Sequence, residues 1–167
     1  MTHDWVTRTF IYSGREFLPS SGRITIGNNV NTAYNVTILK GVTIGDNVFI
    51  GANSVVTKDI PSNSIAAGSP CRVIMNIDEF HAKREIKCVK EAFDYAVSIQ
   101  QRFNRKPTIA DFREEFVLFV DGDKIDQYPE ISALIKSQLG PSYDAYIKHH
   151  KAMFSSFEEF LAGAGIQ

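Results

Sequence analysis

The sequence predicts a mainly β chain with an α appendage: a short coil of parallel strands over residues 1–75, then a helical region over 76–167. Three observations predict it. An apolar pattern of period six runs from Ile26 to Pro61. Between Ile24 and Ile60, 17 of 37 residues are Val, Ile or Thr, which favours extended backbone. Charge is divided unevenly, with 10 charged side chains in residues 1–75 and 27 in residues 76–167.

Read in sixes from Ile26, the chain gives IGNNVN, TAYNVT, ILKGVT, IGDNVF, IGANSV and VTKDIP. The first position is Ile26, Thr32, Ile38, Ile44, Ile50 and Val56. The second is small at Gly27, Ala33, Gly45 and Gly51, with Leu39 and Thr57 as exceptions. The fifth is Val30, Val36, Val42 and Val48, and the pattern breaks at Ser54. A period of six fits no amphipathic helix, whose apolar positions recur at about 3.6 residues. It also crowds the turns too closely for ordinary hairpins. Short strands with a corner every six residues make a triangular coil whose turns stack about 4.8 Å apart. The aliphatic first position then points inward, and Asn and Gly suit corners that need positive φ.

Gly68-Ser69-Pro70 punctuates the end of this region. Beyond it, Asp78 is placed to cap a helix with Phe80, Ile86, Val89, Phe93, Ala96, Val97 and Phe103 at helical spacing. Thr108 with Asp111, and Ser156 with Glu159, resemble capping boxes. Pro129 suits a first helical turn and Gly140 the end of the same helix. His81, His149 and His150 show no metal-ligand spacing and read as surface histidines.

Bulk properties narrow the function. A net charge of −1 over 167 residues gives no pull toward nucleic acid or an anionic membrane. No apolar run reaches the roughly 20 residues needed to span a bilayer. The opening MTHDWVTRTF lacks the basic and apolar regions of a signal peptide. Cys71 and Cys88 are the only cysteines and read as reduced thiols, so the expected compartment is the cytoplasm.

The register, with ITIGNNV, GVTIGDNVFIGANSVVTKDIP and AAGSPCRVI, resembles the hexapeptide-repeat acyltransferases, most closely the sugar and polysaccharide O-acetyltransferases. The resemblance covers about residues 2–75. It implies a left-handed parallel β-helix, a homotrimer, and transfer of an acetyl group from acetyl-CoA to a sugar hydroxyl. Such enzymes carry a Thr-His motif about twenty residues ahead of the ITIGNNV-like rung, and Thr2-His3-Asp4-Trp5 stands there. A histidine near neutral pKa is a natural base for a hydroxyl proton. The resemblance therefore makes His3 the general base, in direct attack within a ternary complex. Asp4 is placed to tune it, and Trp5 to pack or line the acceptor site.

Aligned motif with motif, the coenzyme-contacting positions are Tyr34, Ala52, Thr57, Lys58 and Arg72. Lys58 and Arg72 carry the charge that phosphates need. Tyr34 replaces a small residue, and Asn31 stands where relatives often have an aromatic one. Residues 24–75 hold no histidine, which argues against the zinc-dependent γ-carbonic anhydrases of the same fold.

Such enzymes carry further rungs ahead of the histidine, so the β-helix expected here is short: about two coils plus an N-terminal loop from Val6 to Ser21. Two alternatives stay open. One is a truncated, catalytically impaired β-helix serving as a binding or assembly module. The other is an N-acyltransferase acting on an amino sugar.

Overall fold

The computed structural model describes the backbone of residues 2–3 and the whole of residues 6–167. It falls into two compact units that divide after Arg84. The compositional boundary at 75–76 lies inside the last strand, ahead of this division.

The first unit opens with β1 (Thr2–His3), α1 (Val6–Tyr12) and β2 (Ser21–Gly22), with β1 and β2 antiparallel. Six short strands follow: β3 (Thr25–Ile26), β4 (Val30–Thr32), β5 (Thr37–Ile38), β6 (Thr43–Ile44), β7 (Val48–Ile50) and β8 (Val55–Val56). They pair in parallel as β3 with β6, β4 with β7, and β5 with β8. Each pair is offset by 18 residues, as Thr25 opposite Thr43, Val30 opposite Val48 and Thr37 opposite Val55 show. Three sixes make one such step, so the sequence period becomes a stacking period.

The corners follow from backbone chemistry. Asn29, Asn35, Asn47, Asn53 and Asn63 all have φ between 51° and 58°, in the left-handed region that Asn tolerates better than most residues. Glycine at the second position permits the close approach of one layer to the next. A Cβ on Gly45 would lie 2.5 Å from the Ser62 nitrogen.

The inward positions supply the core. Ile44, Ile50 and Val56 are at most 1% exposed, each burial contributing about 1.5–3 kcal/mol. One step earlier in the stack, Ile26 is 53% exposed.

Stacking continues past the sixfold pattern, but at a shorter step. β9 (Ser64–Ala67) pairs with β7 at an offset of 16 residues, and Ile60 bridges Ile44. Ser54, the break in the fifth position, sits at this change. Its buried hydroxyl donates to the Gly51 carbonyl (2.6 Å) and accepts from the Gly68 N–H (3.0 Å). β10 (Arg72–Asn76) then turns back antiparallel on β9.

The segment expected as a loop from Val6 to Ser21 is in part the helix α1. A Schellman closure ends it: Arg15 N–H donates to the Phe10 carbonyl (2.8 Å), Gly14 N–H to that of Ile11 (3.0 Å), and Gly14 has φ 75°.

α2 (Ile77–Phe103) starts earlier than expected. Asn76 caps it, its side-chain oxygen accepting from Asp78 N–H at 2.8 Å, so Asp78 lies in the first turn. Of the apolar positions read along α2, Ala96 is buried, whereas Phe80, Ile86 and Phe103 are exposed.

In the second unit, α3 (Pro129–Leu139), α4 (Tyr143–His149) and α5 (Phe157–Gly163) join α2 and short 3-10 turns around an aromatic core. Phe112 and Phe160 are fully buried and meet edge to face at 5.4 Å and 85°. Pro129 opens α3 and Gly140, with φ 50°, closes it. The Asp111 carboxylate accepts from Thr108 N–H (2.7 Å) across the 3-10 turn Ile109–Asp111. Ser156 caps α5 by accepting from Glu159 N–H, but the Glu159 carboxylate turns to Ser155 N–H (2.6 Å). His150 is not a surface residue. It is half-buried, its Nε2 lies 2.8 Å from the Val117 carbonyl, and its ring stacks on Tyr146.

Candidate active site

The 18-residue step sorts the sequence-derived site residues onto two neighbouring corners of the coil. Tyr34 and Ala52 occupy one. The Asn53 N–H donates to the Tyr34 carbonyl (2.9 Å), and the Asn35 side chain donates to that of Asn53 (3.3 Å). Tyr34 is 88% exposed, so its ring is not a packing residue of the first unit. Ala52 is exposed beside it, one layer on, and its single methyl lets a ligand approach the backbone closely.

Thr57 and Lys58 form the next corner, separated from the first by β8. Leu39 N–H donates to the Val56 carbonyl (2.9 Å), which fixes Leu39 one layer from Thr57 and Lys40 one layer from Lys58. Lys40 and Lys58 thus stack two cations on one corner. The signal for Lys40 lies in the repeat, since ILKGVT and VTKDIP both place lysine third in the hexad.

Arg72 follows from the layer beyond. Cys71 N–H donates to the Val55 carbonyl (2.8 Å), setting Arg72 over the face that joins the two corners. Its guanidinium donates to the Cys71 carbonyl (2.8 Å) and is otherwise exposed. Ala52, Thr57, Lys58 and Arg72 therefore border one β5–β8 face, and Tyr34 projects from its far corner.

The backbone of His3 is opposite Ser21 in the β1–β2 pair. The adjacent Gly22 packs against Lys40 and Gly41, where a Cβ would stand 2.9 Å from the Gly41 nitrogen. The His3 backbone is accordingly held beside Ser21, whose neighbour Gly22 packs against the lysine corner. Its imidazole, and all of Asp4 and Trp5, lie outside the described residues.

Cys71 is the one thiol near this face. It is 2% exposed, and burial pushes its pKa up, partly offset by a hydrogen bond with Ser54 and by the Arg72 charge. A thiol held in its neutral form is a poor nucleophile. Among the described residues, no group of His, Cys, Asp and Glu is arranged to hold a metal ion. No described helix is long and apolar enough to cross a membrane.

Parallel six-residue rungs stacked at an 18-residue step, with asparagine corners, define a hexapeptide-repeat coil. Residues 23–58 match the family described as bacterial transferase hexapeptide (six repeats), and residues 41–77 match the hexapeptide repeat of succinyl-transferase. The hexapeptide repeats of this chain thus run over residues 23–77.

Galactoside O-acetyltransferase of Escherichia coli (strain K12) is 64% identical over 56 residues, covering 34% of this chain and 28% of that protein. Among solved structures, a maltose O-acetyltransferase from Clostridium difficile 630 is 53% identical over 36% of this chain and 32% of its own, with a TM-score of 0.35. A galactoside acetyltransferase in complex with coenzyme A is 48% identical over 48% of this chain and 38% of its own, with a TM-score of 0.40. The chain spans 28% to 34% of the length of the first curated relatives it matches.

Proposed function

We propose that the protein is an acetyl-CoA-dependent O-acetyltransferase acting on a sugar or polysaccharide hydroxyl. The observation that carries this is the 64% identity over 56 residues to a galactoside O-acetyltransferase, beside the hexapeptide repeats of residues 23–58. The short strands are read as a left-handed parallel β-helix. The lysine corner and Arg72 bind the coenzyme's phosphates, while Ala52 and Thr57 border the channel for its pantetheine arm.

In this reading His3 is the general base. Its imidazole takes the proton from the acceptor hydroxyl as that oxygen bonds to the thioester carbonyl carbon. The carbon–sulfur bond breaks as the tetrahedral intermediate collapses, and the proton passes to the departing thiolate. Transfer is direct, with no acyl-enzyme, which fits the burial of Cys71. The working unit is a homotrimer with active sites between subunits. Exposed Val73 and Ile74 on the edge strand β10 offer apolar surface for subunit contact.

The test is thioester loss from acetyl-CoA in the presence of hydroxyl- and amino-sugars, with the product bond identified by mass spectrometry and hydroxylamine lability. Esters formed on hydroxyl-sugars support the reading. Amides formed on amino-sugars would reassign the enzyme to N-acyl transfer, and thioester stable against every acceptor would contradict transferase activity.

A further inference from the structure

The second unit holds a cavity of about 690 Å³, within the range of about 300–1,000 Å³ typical of small-ligand sites. The residues matched to the hexapeptide-repeat families end at residue 77, ahead of this cavity. Three chain segments wall it: residues 106–113, residues 127–134 at the start of α3, and α5. Fully buried Phe112 and Leu161 form part of the lining, and half-buried Ile109, Ile131, Leu134 and Phe157 open onto it. Four large apolar side chains left half-covered around one hollow carry a burial gain that a ligand would complete.

The first wall is held in place before any ligand arrives. Arg105 grips Asp111 through two hydrogen bonds of 2.7 and 2.6 Å, and Asp111 also accepts from the Thr108 N–H and hydroxyl. Preorganisation of this kind lowers the cost of binding. It also removes Arg105 and Asp111 from the charges a ligand meets.

Four charged side chains remain on the lining: Lys106, Arg113, Glu130 and Glu158. None of them makes a side-chain ion pair among the described residues. Glu130 and Glu158 lie in the first turns of α3 and α5, where the helix N-terminal N–H groups offset negative charge. Lys106 and Arg113, both on the first wall, have no such compensation. The first wall is therefore the cationic side of the cavity.

We infer that this cavity is a binding site for a small organic anion, one with an aromatic or branched apolar body and a single carboxylate, sulfonate or phosphate group. The body occupies the hollow against Phe112, Ile131 and Phe157, and the anionic group meets Lys106 and Arg113. The inference does not depend on acetyl transfer.

Anilinonaphthalene sulfonate and its uncharged analogue N-phenylnaphthylamine, titrated into the full chain, test the inference by fluorescence and calorimetry. One saturable site is expected for the sulfonate. A Lys106→Gln/Arg113→Gln double variant should bind the sulfonate at least about tenfold more weakly, the usual scale of a charge-assisted hydrogen bond, and the uncharged amine unchanged. Ala110→Trp, which fills the hollow from its first wall, should abolish both, with circular dichroism and melting confirming the fold. Absence of saturable binding to the wild type, undiminished binding to Ala110→Trp, or equal affinity for the sulfonate and the amine would each overturn the inference.

Discussion

Asn29 donates its side-chain amide to the side-chain oxygen of Asn47 at 3.0 Å, and Asn47 donates in turn to Asn63 at 3.0 Å. The three residues share one corner column and one left-handed backbone conformation. Asn47 therefore combines a tolerated positive φ with two inter-layer hydrogen bonds. Asn47→Ala should destabilise the first unit by about 1–3 kcal/mol, from left-handed strain plus lost hydrogen bonds. Asn47→Gly relieves the strain and should cost less. Urea titration of the two variants checks the order, and equal losses would assign the whole effect to the amide ladder.

The corner residues and the 18-residue step were legible because every six-residue period repeats the same chemistry. The layer beyond was not. There the step shortens to 16, and Ser54 exchanges an apolar contact for two hydrogen bonds. Helix α1 had a signal in Ser13-Gly14, the glycine of its Schellman closure, but the surrounding residues lack helical periodicity. At the start of α2, Asn76 and Asp78 are both good caps two positions apart, and the turn of β10 into the helix decides between them. His149 and His150 differ only in direction: one faces solvent, and the other reaches the Val117 carbonyl. The reading of Tyr34, Ala52, Thr57, Lys58 and Arg72 as coenzyme contacts rests on aligned motifs, as does the role of His3.

The Arg105–Asp111 pair makes the second unit pH-sensitive in a defined direction. The guanidinium hydrogen bonds, helped by Thr108, hold the Asp111 carboxyl well below the usual carboxylate range. A depressed folded pKa stabilises the fold above the unfolded value of about 3.9, and this is lost as pH falls below it. Wild type should melt higher than Asp111→Asn at pH 7, and the gap should narrow below about pH 4. A gap independent of pH would remove the ion pair as its cause.

In the proposed function, Lys58 and Arg72 bind the phosphates of the coenzyme. A charge-assisted hydrogen bond contributes about 1.5–3 kcal/mol, so each alanine variant should weaken coenzyme A binding by roughly ten- to a hundredfold. Added salt should weaken the wild type more than the double variant. Equal affinities by calorimetry would place the phosphates elsewhere.

If the active sites lie between subunits of a homotrimer, two inactive variants can complement each other. His3→Ala chains and Lys58→Ala/Arg72→Ala chains should each be nearly inactive alone. Co-refolded, they should recover part of the wild-type rate, since a cyclic ring forms some interfaces with all three side chains intact. Light scattering first establishes the trimer, and mass spectrometry the mixing. Mixed trimers without recovered activity would confine each site to one subunit.

The general base is the centre of the account, and the most direct measurement compares His3→Ala with the wild type under saturating acetyl-CoA and an active sugar acceptor. Loss of a general base costs about 10²–10⁴ in turnover, so kcat should fall by that factor. The dissociation constant for acetyl-CoA should stay unchanged, because the base acts on the acceptor hydroxyl. A His3→Ala enzyme that kept near-wild-type kcat would contradict the mechanism.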